Sequence, residues 1–431
     1  MRTTIWTLAL FAGLSATLPP LAGAQQPPPP LRVFLDCERC DTDHLRREVP
    51  VVDYVRDRMD ADVHVLVTQQ QTGAGGQEYT FHFLGLRSLA HLADTLRYVT
   101  RPTDTEDEVR EGYTRTFRLG LVRYLAQTDR AQVVDVVFPP PSAGERPSQQ
   151  STPADDPWNL WVFESRVGAE VQGETEKSTT SLDGSFAASR TTEEFKIDVE
   201  LDGQYEESTY KDYYDDGGDL VSSQTDLGAD AVAVWSLGPH WSWGLAASAS
   251  VSTSVNQDLA LKASPALEYS FYPYAESTRR QITVLYRVGV ASFNYGEVTL
   301  FDKMSETRPE HSLEIAADFT QPWGALVVSL TGSNYLDDFS KHRVELFART
   351  EIRIVRGVSF NVDGSVARVK DQIYLAREAA SDEEVLLARK ELGKDFEYSV
   401  DVGFSFTFGS VFNNVVNPRI QTRGNYDYEY H

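Results

Sequence analysis

The chain has 431 residues, with 40 Lys and Arg side chains against 64 Asp and Glu, which gives a formal net charge of −24. This acidity argues against nucleic-acid binding, because phosphate contacts need clustered Lys and Arg. The mean hydropathy of −0.36 excludes a bundle of membrane-spanning helices, which needs apolar stretches of roughly 18 residues or more. A membrane barrel stays compatible with this value, because barrel strands alternate polar and apolar residues.

The first residues predict export. Arg2 precedes an apolar run from Ile5 to Leu18, and Ala22-Gly23-Ala24 supplies the small residues that precede a cleavage site. We therefore expect residues 1–24 to be a signal peptide. Cys37 and Cys40 then reach an oxidising compartment, where we expect them to form a disulfide.

Residues 25–30 are a Pro-rich lead-in, and residues 31–137 have the pattern of a small periplasmic α/β domain. We predict strands at 31–35, 61–68, 78–85 and 95–100 and helices after Asp41 and Thr105, in the order β-α-β-β-β-α. The first helix is expected to carry Leu45, Val49, Val52 and Val55, with a kink at Pro50. Residues 138–157, rich in Pro and Ser, are predicted to be a linker.

Residues 158–408 contain repeated segments of about 10–14 residues in which apolar and polar residues alternate. Strands of a soluble sandwich are usually about five or six residues long. Longer alternating strands are typical of an outer-membrane barrel, whose apolar face meets lipid and whose polar face lines the lumen. We therefore predict an antiparallel transmembrane β-barrel of about twelve strands. The predicted strands are 158–172, 177–190, 193–206, 223–236, 240–254, 258–272, 278–295, 310–321, 324–335, 341–354, 358–373 and 394–408.

Loop lengths and tryptophans indicate the orientation of this barrel. Connections at one end are short, which is typical of the periplasmic side, and the longest connections all lie at the other end. The tryptophans of this region fall at or near the short-turn end, as residues that prefer the membrane interface do. We therefore expect the barrel in the outer membrane and the α/β domain in the periplasm.

Four segments carry a resemblance to known proteins: Leu267–Tyr274, Arg279-Arg280, Gln321–Gly324 and Phe404–Gly409. With them, residues 158–408 resemble Gram-negative outer-membrane β-barrel proteins and the salt-induced outer-membrane protein family, whose function is undefined. The resemblance implies contact with outer-membrane lipid and lipopolysaccharide, insertion by the outer-membrane assembly machinery, and room for a periplasmic protein partner. The chain departs from this pattern at its end, because residues 409–431 follow the last predicted strand as a periplasmic extension.

Charged residues of both signs are predicted to line the lumen. They are Lys196, Asp198, Glu200, Arg287, Glu314, Asp318, Arg343, Glu345, Arg349, Glu351 and Arg353. One interpretation is a network of cross-strand ion pairs that closes much of the bore. The other is a narrow pore in which Arg287, Arg343, Arg349 and Arg353 form a rung that faces an acidic wall.

Other residue patterns point to chemistry less directly. His240 and Ser242 with Asn256 match the residue types of an outer-membrane lipid hydrolase, but the prediction places Asn256 roughly 50 Å from His240 along one strand. Asp212, Asp215, Asp216 and Asp219 could hold calcium, although a solvated acidic loop explains them as well. We predict no catalytic residue, metal site or cofactor.

The predicted function is non-enzymatic: a narrow pore for small polar or ionic solutes, or an envelope anchor. The alternatives are a lipid hydrolase and a periplasmic binding or redox module that the barrel anchors.

Overall fold

A computed structural model of the chain describes residues 30–129, 131, 156–211, 213, 214, 217–377, 393–410, 412 and 414. The predicted signal peptide, nearly all of the lead-in and linker, most of the extension, and three acidic loop residues (Asp212, Asp215 and Asp216) lie outside the described residues. The described residues form two sheets, one of five strands and one of twelve.

The smaller sheet has the strand order β2-β1-β3-β4-β5, with β1 parallel to β2 and β3 and the remaining pairs antiparallel. Its elements in chain order are β1 (Arg32–Asp36), α1 (Thr42–Glu48), β2 (Asp53–Tyr54), β3 (Val63–Gln71), β4 (Gln77–Gly85), β5 (Ala93–Val99) and α2 (Glu106–Leu125). A capping box between Thr105 and Glu108 starts α2, as the sequence predicts. Phe117 and Tyr124 of α2 stack on Phe83 of β4, which joins helix and sheet in one core.

The first helix is shorter than predicted. It ends at Glu48, and the N–H of Val49 donates to the carbonyl of Leu45. Pro50 follows, which has no N–H to continue a helix. Val52 and Tyr54 reach the same core through β2, a two-residue strand that the sequence did not reveal. The predicted helical face with Val52 and Val55 is therefore wrong, although Val52 is buried as expected.

The larger sheet confirms the prediction of twelve antiparallel strands, each overlapping one predicted segment. They are β6 (Trp161–Gly173), β7 (Lys177–Thr191), β8 (Phe195–Tyr210), β9 (Leu220–Ser236), β10 (Trp241–Ser252), β11 (Gln257–Ser270), β12 (Arg280–Asn294), β13 (Ser305–Gln321), β14 (Gly324–Tyr335), β15 (Asp338–Val355), β16 (Val358–Val369) and β17 (Phe396–Phe406). Each strand pairs with the next along the chain, so β6 and β17 are the two end strands.

The two faces of this sheet differ in polarity, because successive side chains of a strand point to opposite faces. One face is apolar and exposed. Representative side chains, each 43–47% exposed, are Leu201, Leu245, Leu261, Leu313, Ile315 and Leu346. The other face carries most of the charged residues of these strands. In the described part of the chain, no helix is long and apolar enough to cross a membrane.

The two ends of the sheet also differ. At one end the connections are 192–194, 237–240, 271–279, 322–323 and 356–357; at the other they include 211–219, 295–304 and 370–395. The first end carries Trp158, Trp161, Trp235, Trp241, Trp243 and Trp323, and the rings of Trp235 and Trp243 stack 4.5 Å apart. We call it the tryptophan end and the opposite one the loop end. This asymmetry agrees with the predicted loop pattern.

Candidate lumen site

A cavity of about 440 Å³ lies on the polar face of the twelve-stranded sheet. Side chains from seven consecutive strands, β8 to β14, line it together with Asp371, which follows β16. Because residues so far apart in strand order surround one space, the sheet curves around it. We call this space the lumen cavity.

One wall of the lumen cavity is acidic. Glu200 of β8 and Asp230 of β9 stand directly opposite each other in the strand register, and both line the cavity. Asp198 lies two residues before Glu200 on the same face and pairs with Lys196 at 2.9 Å. The carboxylates of Glu200 and Asp230 have no such ion pair within the described residues.

The adjoining wall is basic. Lys262 of β11 and Arg287 of β12 line the cavity, and no carboxylate pairs with either among the residues that the structure describes. The Nζ atom of Lys262 lies 6.0 Å from the ring centre of Phe293. The alternation along the strands, which predicts Arg287 in the lumen, predicts Lys262 and Asp230 there as well, and all three line the cavity.

The remaining predicted lumen residues lie elsewhere on the polar face. Glu314 and Asp318 share a face of β13 with Ser312, which lines the cavity, but they do not reach it. Arg343 pairs with Glu345 at 3.0 Å on its own strand and with Glu397 of β17 at 3.6 Å.

Other pairs follow the same local pattern: Arg349 pairs with Asp363, its register partner on β16. Within the described part of the sheet, these ion pairs join the same or nearby strands. They do not bridge the walls of the lumen cavity.

Arg353 has a different partner from the other arginines. Its guanidinium donates two hydrogen bonds to Asp36 of the smaller sheet, at 2.6 and 2.7 Å. Nε2 of the buried His64 lies 2.9 Å from the same carboxylate. Burial favours the neutral carboxyl, but the hydrogen bonds from His64 and Arg353 outweigh it and lower the pKa of Asp36. Arg353 therefore fastens the α/β domain to β15. Glu351 lines a smaller pocket beside this contact.

The predicted rung of four arginines is not formed. Arg343, Arg349 and Arg353 follow one another along a single strand and have separate acidic partners. Only Arg287 of the four lines the lumen cavity.

Further contacts hold the α/β domain at the tryptophan end. In the turn between β15 and β16, Arg356 pairs with Asp60 at 2.8 Å and the N–H of Gly357 donates to Asp57 at 2.8 Å. Beyond β17, the carbonyl of Phe408 accepts a hydrogen bond from Arg56 at 3.2 Å.

The chain after β17 continues along β2. Phe412 forms an antiparallel bridge with Val55, and Asn414 donates to the Asp53 carboxylate at 2.8 Å. The described part of the C-terminal extension thus lies against the smaller sheet.

The α/β domain also reaches the opposite side of this end. Gly73 and Gly75, in the turn between β3 and β4, lie beside Thr191 at the end of β7 and Val162 of β6. Burial, together with the positive charges of Arg279 and Arg97, lowers the pKa of His82 to about 4. Arg279 belongs to the connection before β12, so the domain lies near strands spread across the whole sheet.

A short segment bounds the lumen cavity toward the loop end. Residues 371–377 follow β16, and Ile373 is buried against Phe293, Tyr295 and Tyr335 on the polar face of the sheet. The N–H of Leu300 donates to the carbonyl of Leu375, and the Asn256 side chain donates to the carbonyl of Tyr374, both at 2.8 Å. We call residues 371–377 the inner segment. The predicted strand 358–373 is wrong beyond Val369, where β16 ends and the chain turns onto the polar face.

The residues of the hydrolase hypothesis are not brought together. His240 contacts the carbonyl of Ser270 through Nδ1 at 2.8 Å, whereas Ser242 donates to the hydroxyl of Tyr274 at 3.0 Å. Asn256 lies at the loop end, against the inner segment.

Of the two other candidate sites, the cysteine pair can be placed, whereas three of the four acidic loop residues, Asp212, Asp215 and Asp216, lie outside the described residues. Cys37 and Cys40 form a disulfide after β1. Among the described residues, there is no group of three or more His, Cys, Asp or Glu side chains that could hold a metal ion.

Comparisons with known proteins found no related sequence family and distant similarity to solved structures. No family model matches the chain, and no curated protein matches it. A solved structure of the NanC porin shares 9% identity and covers 57% of this chain and 99% of its own, with a TM-score of 0.27. A structure of CdiB from Acinetobacter baumannii shares 8% identity, covers 88% of this chain and 73% of its own, and has a TM-score of 0.24. The fold assignment therefore rests on the strand pairing described above.

Proposed function

We propose that the chain is an outer-membrane β-barrel that passes small polar or ionic solutes through its lumen, with the α/β domain covering the periplasmic end. The observation that carries this proposal is the lumen cavity, which is lined by charged side chains inside a sheet whose other face is apolar. Neither catalysis nor a cofactor is part of the proposal.

The apolar face supports the membrane location. Twelve strands spaced about 4.8 Å apart extend roughly 58 Å across the sheet, and a barrel's apolar band is about 25 Å tall. Such a surface is far larger than the roughly 300–600 Å² of the largest apolar patch on a typical soluble monomer. Lipid and lipopolysaccharide would cover it, and the assembly machinery would insert it.

The end strands support a closed barrel in the membrane. An unpaired strand edge is costly in lipid, where no water satisfies its backbone groups. The α/β domain lies beside Val162 of β6 and donates a hydrogen bond from Arg56 to the carbonyl of Phe408 just beyond β17, so both end strands lie close to one body. We infer that β6 and β17 pair when lipid surrounds the sheet.

The tryptophans and short turns favour the periplasm for the end that the α/β domain covers. In this arrangement the domain would limit passage between the lumen and the periplasm. Its contacts with the sheet are mainly hydrogen bonds and ion pairs, such as Arg353 with Asp36. Contacts of this kind can break and re-form, which would let the domain undock and dock again.

Planar-bilayer recording of the purified full chain tests the proposal. Heat-modifiable migration of the unheated protein in detergent gels would first establish that the barrel is folded. We expect discrete current steps in potassium chloride. A folded protein that gives no current, both as wild type and with the Arg353 contact removed, would refute passage and favour the envelope anchor.

A further inference from the structure

From β8 to β12 the charges that line the lumen cavity are separated by sign, and two further acids, Glu310 of β13 and Asp371, line it beyond β12. The strand register puts Glu200, Asp230, Ser248 and Lys262 side by side in one row across β8 to β11. Two acids stand at one end of this row and a lysine at the other, with a serine between. Arg287 lies on the next strand outside this row, four residues from Ala291, which is the register partner of Lys262.

The acidic end of this row is unfavourable in an empty lumen. Like charges directly opposite each other on neighbouring strands destabilise a sheet. No ion pair with a basic side chain relieves Glu200 or Asp230 in the part of the chain that the structure describes. A bound cationic group would relieve both.

The basic end needs a different partner. Lys262 stands two strands away from Asp230, which puts their Cα atoms roughly 10 Å apart. In the structure the ammonium group of Lys262 lies over the Phe293 ring and not against a carboxylate. A bound carboxylate could contact the ammonium group of Lys262.

We propose that the lumen cavity binds a small zwitterion, with its ammonium group at Glu200 and Asp230 and its carboxylate at Lys262. Allowing about 2.8 Å for the hydrogen bond at each end, the two charges of the solute would be roughly 4–6 Å apart, as in a dipeptide. The cavity volume of about 440 Å³ lies within the range of small-molecule sites. This inference rests on the proposed function, because it treats the lumen as a path for solutes.

Equilibrium binding to the full chain in detergent tests the inference without any need for current. The probes are glycylglycine, N-acetylglycylglycine, which lacks the ammonium group, and glycylglycinamide, which lacks the carboxylate. We expect glycylglycine to bind at least about tenfold more tightly than either analogue, because each analogue leaves one wall without its charge-assisted hydrogen bonds. Equal binding of the three probes, or no binding, would overturn the inference.

Variants assign each wall to one end of the solute. Lys262→Met should bind glycylglycine and glycylglycinamide alike, since the partner of the carboxylate is lost. Asp230→Asn should reduce the difference in affinity between glycylglycine and N-acetylglycylglycine, since Glu200 alone then holds the ammonium group. The matched control is Lys177→Met, because Lys177 lies over Tyr210 at the start of β7 and does not line the cavity. A merely structural effect would weaken all probes equally, which would also contradict the inference.

Bilayer recording separates this inference from the proposed function. Current steps without selective glycylglycine binding would overturn the zwitterion site and leave passage intact. Selective binding without current would uphold the site and refute passage.

Discussion

Replacing Arg353 by Met tests how the α/β domain is held at the tryptophan end. The substitution removes two charge-assisted hydrogen bonds to Asp36, whose side chain is 14% exposed, and leaves that carboxylate with His64 alone. Hydrogen bonds to charged groups contribute roughly 1.5–3 kcal/mol each, and the partial exposure of Arg353 reduces this figure. We therefore expect a loss of about 2–3 kcal/mol of docking free energy, which raises the undocked population roughly 30- to 150-fold.

Hydrogen exchange of the full chain, followed by mass spectrometry, measures this population. The N–H of Gly357 is the reporter, because it donates to Asp57 across the same contact. A peptide that covers residues 354–360 should lose protection in the Arg353→Met variant, and the bilayer current should flow for a larger fraction of time.

The matched control is Arg349→Met, which lies four residues earlier on the same face and pairs with Asp363 inside the sheet. It should leave both readouts unchanged. The reasoning is refuted if the two variants behave alike, or if Arg353→Met leaves both exchange and current at the wild-type level.

Three further predictions concern the stability of the α/β domain within the full chain. Folding lowers the pKa of His82 from about 6.5 to about 4, so the unfolded state binds more protons than the folded state in that interval. Protection of β4 against hydrogen exchange should therefore fall by about 1–2 kcal/mol as the pH drops from 6.5 to 4, after allowance for partial exposure of the imidazole. A His82→Gln variant should lack this pH dependence. Gly120→Ala should destabilise the domain by about 1–3 kcal/mol, because its Cβ would lie 2.0 Å from the buried Phe83 ring. The matched control is Gly112→Ala, whose Cβ would meet the more exposed Tyr98 ring. Denaturant-dependent hydrogen exchange should show a smaller loss of unfolding free energy for Gly112→Ala than for Gly120→Ala, and equal losses would contradict the role of the buried Phe83 ring. Thr105→Ala should reduce protection of the first turn of α2 by about 0.5–2 kcal/mol through loss of the capping box, with later turns less affected, and an unchanged first turn would contradict it.

The strands of the larger sheet could be predicted because a single signal dominates them. An alternation with period two, sustained over ten or more residues, fixes both the strand and the face of each side chain. The C-terminal strand shows this clearly, with Phe396, Tyr398 and Val400 on the exposed face. The capping box of α2 was equally readable, because Thr105 and Glu108 stand at the required spacing.

The contacts between distant parts of the chain could not be predicted in the same way. Alternation placed Arg353 on the polar face of β15, but it carries no information about what lies beyond the strand end. Its partner Asp36 is 317 residues away in the sequence. The inner segment was missed for a related reason, since Ile373 packs against Phe293, Tyr295 and Tyr335, which lie far from it in the sequence.

The bridge between Phe412 and Val55 has a consequence for the order of assembly. The α/β domain is synthesised before the strands, yet part of its docking contact comes from residues that follow the final strand. The domain can complete this contact only after β17 has been delivered. Docking of the α/β domain is thereby coupled to completion of the twelve-stranded sheet, and a chain interrupted before Phe408 would lack the Arg56 and Asp53 contacts as well.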